Sequence, residues 1–446
     1  MARTLLISNR TQLLFLVGGL AVAALVSGSC GGSAGTTGYT DPFTTTRTDS
    51  PIIDAATLIR WTDEGKVNAP LGTAGRVVVV SVTTPALFVS KGHIPDAFLL
   101  DYPNELTMTR EEGLGPATVM VLSGPRMDAL VQRLGIDAAT TVVLTVAKGS
   151  SDGQLYQMSV AYFTFRYWGF SRDRVKILNG GDDAWDFAGQ PLMEAALVPT
   201  PSAFSVSGNR TLNDVHRTSV GEMLAFVDSV NRDPRLLDTW QMLDVRGYST
   251  SPYVAHAYRG AGGFQFVTDR VGGESGRNRL YPDRDTLISR MASFPVKDGT
   301  ADAFLSPSKK MLVMCGTSTS ASPTFVLFDA VLGVPDGDVT LYDGSSSQWN
   351  QYSMARISAA GASGSQAQAW AFDARSPGSS STRASGPLPA PVAGENPFVP
   401  GNFVYPPSQS EVNQIEAADR AYMSRETGGG GGASPGGGGG STGGGC

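Results

Sequence analysis

With 446 residues and 41% hydrophobic content, the chain has apolar material for two cores of ordinary size rather than one overgrown core, so two domains is the starting expectation. Its formal net charge of -6 includes no basic block, which leaves a nucleic-acid or anionic-membrane partner without electrostatic support and points to a small molecule or another protein. The three cysteines, Cys30, Cys315 and Cys446, stand in unrelated contexts and form no disulfide framework, and the three histidines fall in no metal-ligand spacing, so neither a zinc site nor any other cofactor is expected.

Residues 1–30 read as an export signal: Arg3 and Arg10 supply the positive start, and Leu13 to Val26 form an apolar stretch too short to span a bilayer. Leu25-Val-Ser-Gly-Ser-Cys30 is similar to a bacterial lipoprotein cleavage site, in which the cysteine becomes the lipidated new N-terminus and the only link to the membrane. Cleavage by an ordinary signal peptidase, leaving Cys30 as a tail thiol, is the alternative. Either way the chain is expected in the cell envelope. Residues 31–50 are rich in Gly, Ser and Thr without apolar periodicity and read as a flexible tether.

Two similar halves follow, expected at residues 51–200 and 216–375 with a linker at 201–215. In the first, the apolar runs Arg76-Val-Val-Val-Val-Ser-Val82 and Thr141-Val-Val-Leu-Thr-Val146 precede a helical stretch from Tyr156 to Trp168 and the run Val175-Lys-Ile-Leu-Asn-Gly-Gly181 with Trp185. In the second, Gln241-Met-Leu-Asp-Val-Arg246 precedes Lys310-Met-Leu-Val-Met-Cys315, a helical stretch from Pro323 to Leu332, and Val339-Thr-Leu-Tyr-Asp-Gly344 with Trp349. The pairs Gly180 and Trp185, Gly344 and Trp349 share a spacing of five residues at an offset of 164, which marks an internal repeat. Short continuous apolar runs alternating with helical patterns indicate parallel strands covered on both faces by helices, an α/β fold. Residues 376–446 are Pro, Ser and Gly rich; a possible amphipathic helix near Glu411 to Arg425 interrupts a tail that ends in Cys446, and no core is expected there.

In parallel sheets ligands bind at the carboxyl ends of strands, which directs attention to the loop after Met314. Cys315-Gly-Thr-Ser-Thr-Ser-Ala321 is a loop of small residues leading into a helix with Pro323 in its first turn. Such a loop can aim successive N–H groups at the sulfur, and the helix dipole adds positive potential, which together would favour a thiolate nucleophile. The plainer reading is a small buried hydrophobe at a strand end.

The same loop, with Leu332-Gly-Val334 and the segment Val339 to Trp349, resembles the active-site loop and final strand of tandem rhodanese-type sulfurtransferases. Val175 to Trp185 resembles the end of that family's first domain, Gly92-His-Ile-Pro-Asp-Ala97 its Gly-His-Ile-Pro-Gly-Ala signature, and Leu243-Asp-Val-Arg246 its strand-ending Asp-x-Arg; the likeness covers roughly residues 51 to 360. It implies two rhodanese-like domains and a two-step transfer. Cys315 would take a sulfane sulfur from a small donor as a persulfide and pass it to a thiol acceptor, with no cofactor. The resemblance implies that the amides of Gly316, Thr317, Ser318, Thr319 and Ser320 cradle the sulfur, that Arg246 faces the donor, and that Asp101 matches an aspartate of mercaptopyruvate-type members. For Arg246 and Asp101 an ordinary ion pair or loop cap is the alternative.

The chain departs from the family in three places. The first half has Val146 and Ala147 where a cysteine or aspartate would stand, so it should be catalytically silent. The second-half signature is reduced to Tyr258-Arg-Gly-Ala261 followed by a Gly- and Arg-rich insertion to about Arg279, where Arg259 is either a second anion contact or part of a remodelled loop. The cysteine loop has no Lys or Arg to neutralise a dianion, which favours a mercaptopyruvate-like donor over thiosulfate. The competing expectation is a non-catalytic rhodanese-like binding or chaperone module of the envelope.

Overall fold

The computed structural model describes residues 50–113, 115–150, 152–209, 211–232, 234–246, 258–259, 263–293, 305–349, 351 and 413–425. The leader with Cys30, the tether up to residue 49 and Cys446 lie outside them, as does most of the tail. Among the described residues no helix is long and apolar enough to cross a membrane.

The first half contributes strands β1 (Ile52–Ile53), β2 (Val77–Thr83), β3 (Phe98–Asp101), β4 (Met108–Glu112), β5 (Gly115–Met120), β6 (Thr141–Thr145) and β7 (Val175–Leu178). Five of them form a wholly parallel sheet in the order β1-β7-β6-β2-β3. All seven residues of β2 are buried, as a run of valines without polar alternation requires of a strand covered on both faces. The second half adds β8 (Trp240–Asp244), β9 (Tyr258–Arg259), β10 (Lys310–Met314) and β11 (Val339–Leu341), again all parallel, in the order β11-β10-β8-β9. The fold is α/β, with parallel sheets flanked by helices, and both sheets belong to the compact unit that begins at Asp41. Strands β4 and β5 pair as an antiparallel hairpin apart from both sheets, an element without an alternating pattern to announce it.

The helix Asp152–Tyr167 joins the halves. Twelve of its sixteen residues are buried, so it is covered all round, as a helix packed between the first sheet and the helix Ser322–Val326 of the second half must be. Phe163 meets Phe325 of the second half edge to face at 5.0 Å. Beside them Asp329, fully buried, accepts hydrogen bonds from the Tyr162 hydroxyl at 2.7 Å, Arg166 Nε at 3.0 Å and Arg172 Nη2 at 2.7 Å. Burial would raise the Asp329 pKa, but Arg166 leads the neighbouring charges that hold it down at about 2. Among the described residues one group, His216, Asp329 and Asp336, brings possible metal-ligating atoms within 4.8 Å of one another. Arg166 and Arg172 already bind both carboxylates, so the positive charge a cation would supply is present.

The tail departs from expectation. A helix does form at Gln414–Met423, but it packs into the core: Ile415, Glu416 and Asp419 are all buried. Its acidic residues are paired with Arg110 and Arg217, each distant in sequence, rather than turned to solvent.

Removing the Asp329 carboxylate leaves the buried Arg166 short of its main counter-charge, and Asp329→Ala should cost about 3–5 kcal/mol of unfolding free energy in a urea titration at neutral pH. Because the native pKa lies below the ordinary 3.8, this contribution is complete above that value and fades as pH falls through about 2. A loss under about 1 kcal/mol, the range of an exposed pair, would contradict this account of the interface.

Candidate active site

Cys315 follows directly on β10, at the carboxyl end of the second sheet, where Met314 is paired with Asp244 of β8. The chain then turns tightly. Ser318 takes a left-handed conformation (φ 62°), and its carbonyl accepts from both Ala321 N and Ser322 N at 3.0 Å, so the loop curls straight into the short helix Ser322–Val326. The curl turns the N–H groups of Thr317 and Ser320 onto the sulfur, while that of Ala321, bonded to Ser318 O, adds a shared contribution.

What holds the loop lies mostly outside it. The buried Ser345 hydroxyl, in the turn after β11, accepts from Cys315 N at 3.1 Å and Ser318 N at 3.2 Å, and donates to Tyr342 O at 2.7 Å. In the same turn Ser346 N donates to Cys315 O and Ser347 N to Gly316 O. The first half reaches in as well. Ser318 Oγ donates to Val119 O at 3.0 Å, and Thr319 Oγ1 lies 3.3 Å from the Tyr102 hydroxyl. Val119 itself sits at φ 60°, a costly conformation for a β-branched residue.

Cys315 is buried, with 2% exposure, and this corrects the expectation of an ionised, accessible thiolate. Burial pushes its pKa up, against the three loop amides that pull it down, and the Asp244 carboxylate pushes the same way as burial. The group is a thiol at neutral pH. Burial is also the leading reason that two phenols near the site, Tyr102 and Tyr156, have raised pKa values, Tyr156 reaching about 12, with the charge of Cys315 a smaller contribution to each.

The other sequence candidates are distributed unevenly. Arg246 folds back on Asp244, with Nε 3.0 and 3.1 Å from the two carboxylate oxygens and Nη2 at 2.9 Å from Oδ2, so at this strand end its charge is largely matched by a neighbour two residues earlier. Arg259 lies on β9 opposite Asp244, which puts its backbone at the same end of the sheet; its side chain is outside the described residues. Asp101 ends β3 and accepts from Asn104 Nδ2 at 2.7 Å, while the next residue, Tyr102, makes the contact with the cysteine loop. Of the five predicted cradle residues, Thr317 and Ser320 direct amides at the sulfur and Ser318 instead ties the loop to Ser345 and Val119. Sequence reasoning missed Ser345, Val119, Tyr102 and Tyr156. Ser345 stood in the matched segment Val339 to Trp349, but only the folded turn shows that its hydroxyl faces the loop.

At the matching place in the first half, beyond β6, the second half supplies a resident side chain. Asn278 Oδ1 accepts from Ser150 N at 3.0 Å and Ser150 Oγ at 2.5 Å, while its Nδ2 donates to Ala147 O at 3.1 Å. Asp183 Oδ2 accepts from Gly149 N and Asn278 N at 2.8 and 2.7 Å. The loop amides here are satisfied by carboxamide and carboxylate oxygens, Ser150 N by Asn278 of the insertion that precedes Arg279 and Gly149 N by Asp183.

No known family model matches the chain, and no curated protein matches it. Among solved structures, SseA from Escherichia coli, described as a 3-mercaptopyruvate sulfotransferase of the "Rhodanese" fold, is 18% identical, covers 66% of this chain and 98% of its own, and has a TM-score of 0.47. The Tum1 protein from Saccharomyces cerevisiae is 18% identical over 68% of this chain and 95% of its own, with a TM-score of 0.46. An anaerobic ergothioneine biosynthesis enzyme from Chlorobium limicola is 17% identical over 68% of each chain, with a TM-score of 0.42.

Two outcomes follow from the site's geometry. Iodoacetamide should alkylate Cys315 more slowly at pH 7 than it does a free small-molecule thiol, with the rate rising into the alkaline range; a rate at pH 7 matching or exceeding the free thiol would mean the sulfur is neither buried nor protonated. Ser345→Ala strands two buried N–H groups and should lower unfolding free energy by about 1–3 kcal/mol, read by chemical denaturation; an unchanged midpoint would show that the hydroxyl is not the acceptor.

Proposed function

We propose that the chain is a sulfurtransferase of the rhodanese type that carries a sulfane sulfur on Cys315. The observation that carries this reading is the convergence of the Thr317 and Ser320 amides, with a share of the Ala321 amide, on one sulfur at a strand end. A cysteine kept only as a core filler has no use for donors aimed at it. The motif likeness around Cys315, Gly180 and Gly344 supports the same reading.

In the first half-reaction Cys315 gives up its proton and the thiolate attacks the sulfane sulfur of the donor. The donor's carbon–sulfur bond breaks, its electron pair leaves with the carbon fragment and is protonated there, and Cys315 keeps a persulfide. In the second, an acceptor thiolate attacks the outer sulfur, and the electron pair of the sulfur–sulfur bond returns to Cys315. The loop amides act on both steps by stabilising negative charge on sulfur in a site with little water. Because the resting group is a thiol, deprotonation must accompany donor binding, and the acidic surroundings of Asp244 make that step costly.

A loop of Gly, Ser and Thr with no cation of its own suits a monoanionic, mercaptopyruvate-like donor better than thiosulfate. Arg246, arriving as an ion pair with Asp244, offers little extra attraction to a dianion. The proposed setting is the cell envelope, with a lipid on Cys30 as the only membrane link. One observation favours a second reading, a non-catalytic module: Cys315 has only 2% exposure, so a donor needs an opening of the cleft to reach its sulfur.

Incubation of the full chain with mercaptopyruvate should add one sulfur atom to the Cys315 peptide in a mass spectrum and release sulfide when a thiol is supplied. Cys315→Ser should lower that release by at least about a thousandfold, as removal of a covalent nucleophile does. Release that survives the substitution, or a Cys315 peptide that never gains sulfur from any donor, would overturn the proposal in favour of the binding module.

A further inference from the structure

The helix Gln414–Met423 lies across both halves and is held chiefly by polar contacts. Toward the first half, Asp419 accepts from Arg110 Nη1 and Nη2 at 2.7 and 2.8 Å and from the Tyr167 hydroxyl at 2.8 Å, and the Tyr422 hydroxyl donates to Asp128. Toward the second, Arg217 Nη1 donates to Glu416 at 2.6 Å, Arg420 to Asp214 at 2.5 Å, and Ser219 Oγ to Asn413 at 2.6 Å. Ten residues are too few for a stable helix alone in water, so docking and helix formation are one equilibrium. With Ile415 its one fully buried apolar side chain, charge decides where that equilibrium lies.

The charges do not balance. Arg217, whose side chain has no exposure, is shared by three buried carboxylates: Glu112 at 3.0 and 2.9 Å, Asp343 at 2.9 Å and Glu416 at 2.6 Å. Glu222, from the helix Val220–Arg232, faces the same cluster, while Arg420 and Asp214 offset each other nearby. One guanidinium cannot neutralise three ionised carboxylates where no water spreads the excess, and the least costly remedy is a proton on one of them. Glu416 has the place for it. Its Oε2 is buried without a hydrogen-bond partner, and Glu416 is the member that arrives with the helix.

We propose that the helix Gln414–Met423 is a proton-dependent clasp, which docks across the two halves with a protonated carboxylate in the Arg217 cluster and is released when all of the carboxylates ionise. Release leaves a sound core behind: Arg217 keeps Glu112 and Asp343, and Arg110 keeps the Val121 and Leu122 carbonyls within 3.4 and 3.5 Å. The direction of the pH dependence follows from Glu416, whose pKa in the docked helix is driven up to about 7, by burial first and then by Glu112 and Glu222, against the pull of Arg217. Free in water the same group returns to its ordinary 4.5, so docking takes up a proton; the stabilisation is full below that value and is lost as pH rises through about 7. Asp343 stands two residues before Ser345, so the clasp also steadies the turn beneath Cys315, a consequence that matters only if Cys315 is the working group.

Hydrogen exchange of amides 415–423 in the full chain tests the clasp without reference to any activity, with β2 amides as the internal standard. After correction for intrinsic exchange, protection of the helix should fall by about tenfold or more between about pH 5 and pH 8, while β2 stays constant. Glu416→Gln should keep the helix protected at the upper pH and flatten the profile. If that variant is unprotected throughout, Asp343→Asn, which removes one charge from the same guanidinium, should flatten it instead. Wild-type protection that ignores pH, or a wild-type slope retained by both variants, would overturn the clasp and leave the Cys315 proposal standing.

Discussion

Two backbone N–H groups, those of Cys315 and Ser318, share one buried hydroxyl, and the site hangs on that shared acceptor. A five-residue loop of small side chains has many conformations, and fixing each residue costs on the order of 1–2 kcal/mol of entropy. Ser345 fixes two points of the loop at once, and its own proton is committed to Tyr342 O, so the geometry is determined from outside. Only with the loop pinned there do the remaining amides point inward, and only then does a buried sulfur at a strand end become more than packing. The strained Val119 carbonyl pins a third point from the other half, which is why neither half alone completes the site.

The two halves are joined by charge that is buried in shared sets. Asp329 draws Tyr162, Arg166 and Arg172 together, and Arg217 draws Glu112 and Asp343. Such sets add little net stability compared with apolar packing, but each fails badly if one member is missing, so they specify one arrangement of the halves. The silent first-half loop shows the same economy. Asn278 from the other half accepts from Ser150 N and donates to Ala147 O, which makes this loop part of the interface.

Much of the architecture was legible because burial leaves plain marks on composition. The valines of β2 and the run at β6 could only be strands covered on both faces. The position of Cys315 and the curl of its loop were readable for the same local reasons. What escaped was set by partners far away in the chain. Glu416 and Asp419 look like the solvated face of a marginal helix until Arg217 and Arg110 are brought to them from 199 and 309 residues away. The β4–β5 hairpin was hidden because Glu112, an acidic residue in a mixed run, points inward to meet Arg217. The thiolate expectation failed on energetics: of the five expected amides those of Thr317 and Ser320 turn to the sulfur, but burial outweighs them and Arg246 is committed to Asp244.

The central claim is that the amides around Cys315 hold a transferable sulfur. A crystal structure of the full chain after brief exposure to mercaptopyruvate tests it most directly. The account predicts a second sulfur bonded to Sγ of Cys315, with the Thr317, Ser320 and Ala321 N–H groups directed at the pair and Ser345 still bridging Cys315 N and Ser318 N. An unmodified thiol with the Thr317 and Ser320 amides turned to other acceptors would contradict it.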